Sequence, residues 1–266
     1  MPASPLRLLA VAAAFSIAAG QSPALTGPAA TLYEQAKHGK FFKAADKLKP
    51  EIWSTPDARS FVVVWAPKTP SRWIVSLHGT RGFATDQLAL WAPVLKDKGI
   101  GVIALQWWLG SGDDYLTPVQ IYREMETALQ RQHAMPGSVL LHGFSRGATN
   151  LYAVAAIDAG PGNHYAAFAV AESGGAALDY PPTKAIADGA FGPRPFGGVR
   201  WITVAGGRDP NPARDGFTGM RRTVEWLRSQ GATVVLSIED KGQGHGPLGR
   251  SKKDATWVVD FFLGKK

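Results

Sequence analysis

A serine set between two glycines, Gly143-Phe144-Ser145-Arg146-Gly147, constrains this chain more than any other feature of its sequence. An apolar, β-prone run at residues 138–141 leads into it, and a helix-compatible run with Ala148, Leu151, Tyr152 and Ala155 leads out. The order is strand, tight turn, helix. A side chain thrown forward on so sharp a turn leaves no room for Cβ atoms two residues to either side, which is the reason for glycine there. The hydroxyl then projects into solvent, and the next amide, that of Arg146, points at whatever the hydroxyl meets. With 30 glycines in 266 residues, such flanking arises by chance about once per eighty serines, so the strand and helix on either side carry the reading.

The length of 266 residues suits one large α/β domain, and 45% hydrophobic content with nine tryptophans gives it a core. Residues 1–20 read as a secretory signal peptide: Arg7 supplies the positive end, Leu8 to Ala19 the apolar segment, and Ala18 and Gly20 the small residues of a cleavage site. That segment is too short for a membrane anchor, so the mature chain is expected to be exported, periplasmic or extracellular. There are no cysteines, which excludes disulfides, thiolate metal sites and a cysteine nucleophile. Of the formal charge of +8, Arg7 alone lies in the leader, so the exported form stays basic and suits anionic surfaces. No basic block with interleaved aromatics points to nucleic acid. No histidine or carboxylate spacing suggests a metal, and no glycine-rich loop a phosphate, so no cofactor is expected.

Residues 21–58 form a polar, lysine-rich lead-in with Leu32, Tyr33, Ala36, Phe41, Phe42, Ala45 and Leu48 at roughly helical spacing, expected to pack as a helical extension. The domain proper is expected over residues 59–266. Strands are expected at Phe61–Trp65, Trp73–Leu77, Gly101–Leu105, Phe168–Ala171, Arg200–Val204 and Thr233–Ile238, besides the one entering Ser145. Helices fall between them: one capped by Thr85 or Asp86 and interrupted by Pro93, one opened by Thr117 with Pro118 and Gln120, one capped by Asn211 with Pro212, and one opened by Ser251. Short apolar strands alternating with helices imply a mainly parallel sheet covered on both faces. The Gly/Pro/Ala-rich stretch 174–198 is the place for a small lid.

In such sheets the reactive loops lie at the carboxyl ends of the strands. His78-Gly79-Thr80, Ser145, Asp209 and His245 all fall there. A serine hydroxyl needs a base to take its proton, histidine is that base near neutrality, and the histidine needs a carboxylate to fix its tautomer. His245 is the candidate base; His78 and His142, at strand ends beside glycine, read as structural. Asp209 is the candidate carboxylate, with Glu172 at the end of the preceding strand and Asp215 in a helix as rivals. Trp107, Trp108 and Tyr115 follow a central strand at the rim, as an aromatic substrate wall or as ordinary core.

The motifs HGFSRG, LHGTRG, GGRDP and GQGHG, in that setting from about Phe61 to the C-terminus, resemble the α/β-hydrolase superfamily. The HGT form of the second motif is similar to the dienelactone-hydrolase, feruloyl-esterase and polyester-depolymerase branches. The resemblance implies Ser145 as acyl-forming nucleophile, His245 as base and then acid, Asp209 as its orienting partner, and the backbone amides of Thr80 and Arg146 as the oxyanion hole. It implies a secreted esterase without cofactor, acting on a small or polymeric ester. The alternatives are a serine peptidase or amidase of the same fold, and a non-catalytic binding protein on a hydrolase scaffold.

Overall fold

A computed structural model of the chain describes residues 25–162 and 164–265. The signal peptide expected at residues 1–20 lies outside the described residues. Eight strands form one sheet: β1 (Glu51–Ser54), β2 (Phe61–Trp65), β3 (Arg72–Leu77), β4 (Ile100–Leu105), β5 (Val139–Phe144), β6 (Ala166–Glu172), β7 (Arg200–Gly206) and β8 (Thr233–Asp240). Their order is β1-β2-β4-β3-β5-β6-β7-β8. β1 and β2 run antiparallel to each other, and β2 runs antiparallel to β4; every later pairing is parallel.

Side chains alternate between two cores because successive strand residues point to opposite faces. Trp73, Val75 and Leu77 of β3, with Ile103 and Leu105 of β4, enter one cluster. Ile74, Val102 and Ala104 enter the other. The first face is covered by α4 (Pro118–Arg131), α5 (Arg146–Asp158), α6 (Pro181–Ala187) and α7 (Phe217–Ser229), through residues such as Met125, Leu151, Ile186 and Leu227. The second is covered by α1 (Gly27–Ala36), α2 (Phe42–Asp46), α3 (Ala84–Leu95) and α8 (Lys252–Phe262), through Leu32, Ala45, Leu88 and Val258. Strands β2 to β7 are buried on both sides, which is why they read as largely apolar runs, while the edge strands β1 and β8 are only partly buried.

Several expectations change in detail. The lead-in carries α1 and α2 but ends in a strand: Glu51-Ile52-Trp53-Ser54 pairs with β2 and forms one edge of the sheet. α4 begins as its capping box requires, Thr117 Oγ1 accepting the Gln120 amide and Gln120 Oε1 accepting the Thr117 amide at 2.9 Å. α3 begins one residue before Thr85, with Asp86 reaching back to accept the Phe83 amide at 3.2 Å, and Pro93 falls in its final turn. α7 starts at Phe217 behind Gly216, not at Asn211; residues 211–216 close a tight turn in which the amides of Arg214, Asp215 and Gly216 all donate to the Asn211 carbonyl. Asp215 therefore sits in that turn rather than in a helix. The stretch 174–198 is not a loose cover: it contains α6, whose Thr183 and Ile186 are buried, and Phe196 is buried beyond it.

Among the described residues, no helix is long and apolar enough to cross a membrane.

Candidate active site

β5 ends at Phe144, and Ser145 stands in the sharp turn into α5 with φ 55° and ψ −120°. Positive φ in a non-glycine residue costs about 1–3 kcal/mol, so the surroundings must hold it. They do so by close packing. A Cβ on Gly147 would lie 2.5 Å from the Leu77 carbonyl oxygen, and one on Gly143 would lie 2.5 Å from the Gly147 carbonyl oxygen. The Ser145 amide donates to the Glu172 carbonyl at 2.8 Å, tying the turn to the end of β6.

Three strand ends supply the groups that meet there. His245 Nε2 lies 2.8 Å from Ser145 Oγ, and His245 Nδ1 lies 2.8 Å from Asp209 Oδ2. The Asp209 carboxylate is fully buried, and its other oxygen accepts the Asn211 amide at 2.8 Å. With Nδ1–H donated to this carboxylate, Nε2 is left as the acceptor for the serine proton. The loop that carries His245 is pinned from β6: Ser173 Oγ accepts the Gly246 amide at 3.3 Å and Glu172 Oε1 accepts the Leu248 amide at 2.6 Å.

Neither rival carboxylate reaches His245 as a hydrogen-bond partner. Glu172 Oε2 is 3.0 Å from His142 Nε2, and the His142 ring continues through Nδ1 to Ser76 Oγ at 2.8 Å. This buried chain runs on to Gln87 and Trp91, so His142 is a core histidine with both nitrogens engaged. Asp215 has a carboxylate oxygen within 4.8 Å of both Asp209 and His245. It is held by the Arg214 guanidinium at 2.7–3.0 Å and accepts the Gly175 amide at 3.4 Å.

The amides expected to receive an oxyanion, those of Thr80 and Arg146, have no hydrogen-bond partner among the described residues. Arg146 is the first residue of α5, where helix geometry leaves the N–H unpaired and favours negative charge. Thr80 borders both cavities that open on Ser145, and Arg146 borders the smaller. His78, just before the Thr80 turn, is fully buried and pushed down to about 4 by burial. Its Nδ1–H donates to the Gly79 carbonyl at 2.8 Å, and its Nε2 accepts the Trp107 amide at 3.3 Å, so it works as a neutral strut.

The aromatic wall expected from Trp107, Trp108 and Tyr115 is absent from both cavities. Trp107 continues the inward alternation of β4, is 1% exposed, and stacks on His78 with centroids 5.4 Å apart. Trp108 donates its indole N–H to the Gly112 carbonyl at 3.2 Å. Tyr115 is a brace: its hydroxyl accepts the Arg81 amide at 3.0 Å, and its ring lies 4.0 Å beneath the Arg146 guanidinium. It therefore touches one proposed oxyanion donor residue, Arg146, and the neighbour of the other, Thr80.

The cavities themselves use residues that sequence reasoning missed. The larger, about 610 Å³, has His245, Phe144, Leu90 and Arg250 in its lining, together with Lys40 and Phe41 from the lead-in. The smaller, about 400 Å³, is bordered by Thr149, Asp179, Tyr180 and Arg214. Ser145 belongs to both. Chemically, the arrangement offers a hydroxyl with a base in line, a buried carboxylate behind the base, and two unpaired amides on residues that line the smaller cavity with Ser145.

No protein-family model and no curated relative matches the sequence. Solved structures do match its shape. The hyperthermophilic esterase of the archaeon Pyrobaculum calidifontis superposes with a TM-score of 0.62 over 89% of this chain and 93% of its own, at 12% identity. A carboxylesterase of Mesorhizobium loti gives 0.56 over 77% and 95%, at 16% identity. A phospholipase/carboxylesterase of Dyadobacter fermentans gives 0.52 over 76% and 95%, at 16% identity. With the strand order, the antiparallel second strand and the turn at Ser145, these likenesses establish that the chain has the α/β-hydrolase fold.

Proposed function

We propose that this protein is an exported serine hydrolase that cleaves carboxylic esters through an acyl-enzyme intermediate. The observation that carries the reading is the unbroken line from Ser145 Oγ through both nitrogens of His245 to the buried Asp209, each link 2.8 Å. The esterase and carboxylesterase neighbours support the ester as the bond attacked. Export rests on the leader read in residues 1–20.

In the first half-reaction His245 Nε2 takes the Ser145 proton as Oγ bonds to the ester carbonyl carbon. The carbonyl oxygen becomes an oxyanion and is received by the amides of Thr80 and Arg146. Asp209 keeps the imidazole in the tautomer with Nδ1 protonated and balances the imidazolium. As the C–O bond breaks, the leaving alkoxide takes the Nε2 proton and departs as an alcohol. Water then gives its proton to the same nitrogen while adding to the acyl carbon; Oγ leaves and recovers a proton, and the acid is released.

A fluorophosphonate probe tests this reading. Labelling of the wild type that vanishes in Ser145→Ala, with parallel loss of 4-nitrophenyl acetate hydrolysis, is the expected result. A wild type that neither labels nor turns over the ester would instead favour a binding protein on this scaffold. Cleavage of peptide anilides in preference to esters would move the reading to an amidase.

A further inference from the structure

The two cavities that meet at Ser145 are chemically unlike, and the difference bears on which ester fits; this inference rests on the acyl-enzyme reading above. Once Oγ has added, the former carbonyl carbon carries the oxyanion, the leaving-group oxygen and the acyl chain, each in its own direction. His245 must reach the leaving oxygen to hand over its proton, which requires hydrogen-bond distance. His245 lines the larger cavity and is absent from the lining of the smaller. The alcohol half of the ester therefore occupies the larger cavity, and the acyl half the smaller.

The larger cavity has an apolar surface made by Phe41, Phe144, Ala89 and Leu90. Two exposed cations, Lys40 and Arg250, stand beside it. Neither has an ion-pair partner among the described residues, since no carboxylate oxygen lies within 4.0 Å of either. The Lys40 ammonium rests 5.1 Å from the Phe41 ring centroid instead. Of the two acids in the same lining, Glu172 is held by His142 and the Leu248 amide, and Asp86 accepts the Phe83 amide through Oδ2 while its Oδ1 is buried without a hydrogen-bond partner among the described residues. Neither carboxylate lies within 4.0 Å of the Lys40 or Arg250 nitrogens. In the smaller cavity both cations are paired, Arg214 with Asp215 and Arg146 with Asp113, and Asp179 adds a negative charge to the lining. That side offers polar contacts and no unbalanced cation.

We propose that the alcohol half of the substrate is amphipathic and anionic, with an apolar or aromatic body against Phe41, Leu90 and Phe144 and a carboxylate or phosphate group reaching Lys40 and Arg250, while the acyl half is compact and polar. Such an alcohol would also be drawn in by the basic surface of the whole chain, whose formal charge is +8.

The test compares kcat/KM for 3-carboxyphenyl acetate, 3-phosphonophenyl acetate and the neutral 3-(methoxycarbonyl)phenyl acetate, in wild type and in Lys40→Gln/Arg250→Gln. A second pair, 4-nitrophenyl hydrogen succinate and 4-nitrophenyl methyl succinate, puts the anion on the acyl side. The expected result is a preference of roughly threefold to thirtyfold for at least one anionic phenyl ester over the neutral one, the scale of two exposed charge contacts. That preference should shrink as salt is added and fall toward parity in the double variant. Whichever of the two phenyl esters gains more identifies the anion as carboxylate or phosphate, and the succinate pair should show no preference. Turnover of all the phenyl esters at equal rates, or a preference kept in the double variant, overturns the inference and leaves the hydrolase reading standing. A preference confined to the succinate pair overturns the orientation. Failure to turn over any ester or to label with the fluorophosphonate overturns the hydrolase reading itself.

Discussion

Glu172 Oε2 lies 3.0 Å from His142 Nε2, which leaves His245 to Asp209 alone. The two carboxylates therefore serve different histidines, and substitution separates them. Asp209→Asn is expected to keep the fold and lower kcat/KM for 4-nitrophenyl acetate on the order of 10⁴-fold, because the amide favours the wrong imidazole tautomer. Glu172→Gln is expected to act mainly on stability, by about 3 kcal/mol in urea unfolding, since it weakens a buried pair and one anchor of the His245 loop. Below its unfolding transition that variant should keep kcat within about tenfold of wild type. The opposite ranking would mean that the acid has been misassigned.

Tyr115→Phe removes the hydroxyl that accepts the Arg81 amide and leaves the ring beneath Arg146. The turn bearing Thr80 then loses its tie without losing its packing. A fall in kcat of about tenfold with KM nearly constant is expected, the mark of an interaction that matters mainly in the transition state. Steady-state kinetics on one small ester decides it; a change in KM alone would point to substrate contact instead.

Gly147→Ala places a methyl 2.5 Å from the Leu77 carbonyl oxygen and 2.6 Å from that of His78, both backbone atoms that cannot rotate aside. Overpacking of this kind costs about 1–3 kcal/mol or more, and here it also pushes the oxyanion strand away from the serine. The variant should melt lower and hydrolyse poorly. Normal activity at unchanged stability would show that the turn is looser than its geometry states.

A buried histidine and a half-buried glutamate set opposing pH dependences. Burial holds His78 down to about 4 against 6.5 for a free histidine, so the unfolded chain takes up a proton that the folded chain refuses. Its contribution is whole above pH 6.5 and lost as pH falls through 4, about 3 kcal/mol in all. Glu124 runs the other way: burial, and then the Asp57 charge, push it up to about 7 from 4.5, so its contribution is whole below pH 4.5 and lost as pH rises through 7. Glu124→Gln removes only the second effect. Thermal melts should show this variant above wild type at pH 8 and level with it at pH 4; a constant offset at both would refute the assignment.

The core of the site could be read in sequence because its residues are punctuated locally. Glycines flank Ser145 and His245, and each follows a strand that announces itself by an apolar run. What escaped depends on distant contacts. Nothing near Lys40 or Phe41 says that the lead-in returns to the serine, since that approach is made by tertiary packing against α3. The strand β1 hides behind a lysine-rich stretch and is only four residues long. Trp107 was ambiguous for want of one observation that the sequence does contain: Ile103, Leu105 and Trp107 keep the period of two, and all three enter the same core. The start of α7 misled because Asn211-Pro212 is as good a turn as it is a helix opening.

On the acyl-enzyme reading proposed above, departure and entry share a doorway, because His245 lines only one of the two chambers at Ser145. The alcohol must clear it before water can come in to finish the cycle, and any other alcohol lingering there competes with water for the acyl group. A site so plumbed is a candidate for transesterification in crowded or water-poor media, with the traffic at Phe41 and Leu90 setting the balance between release and transfer.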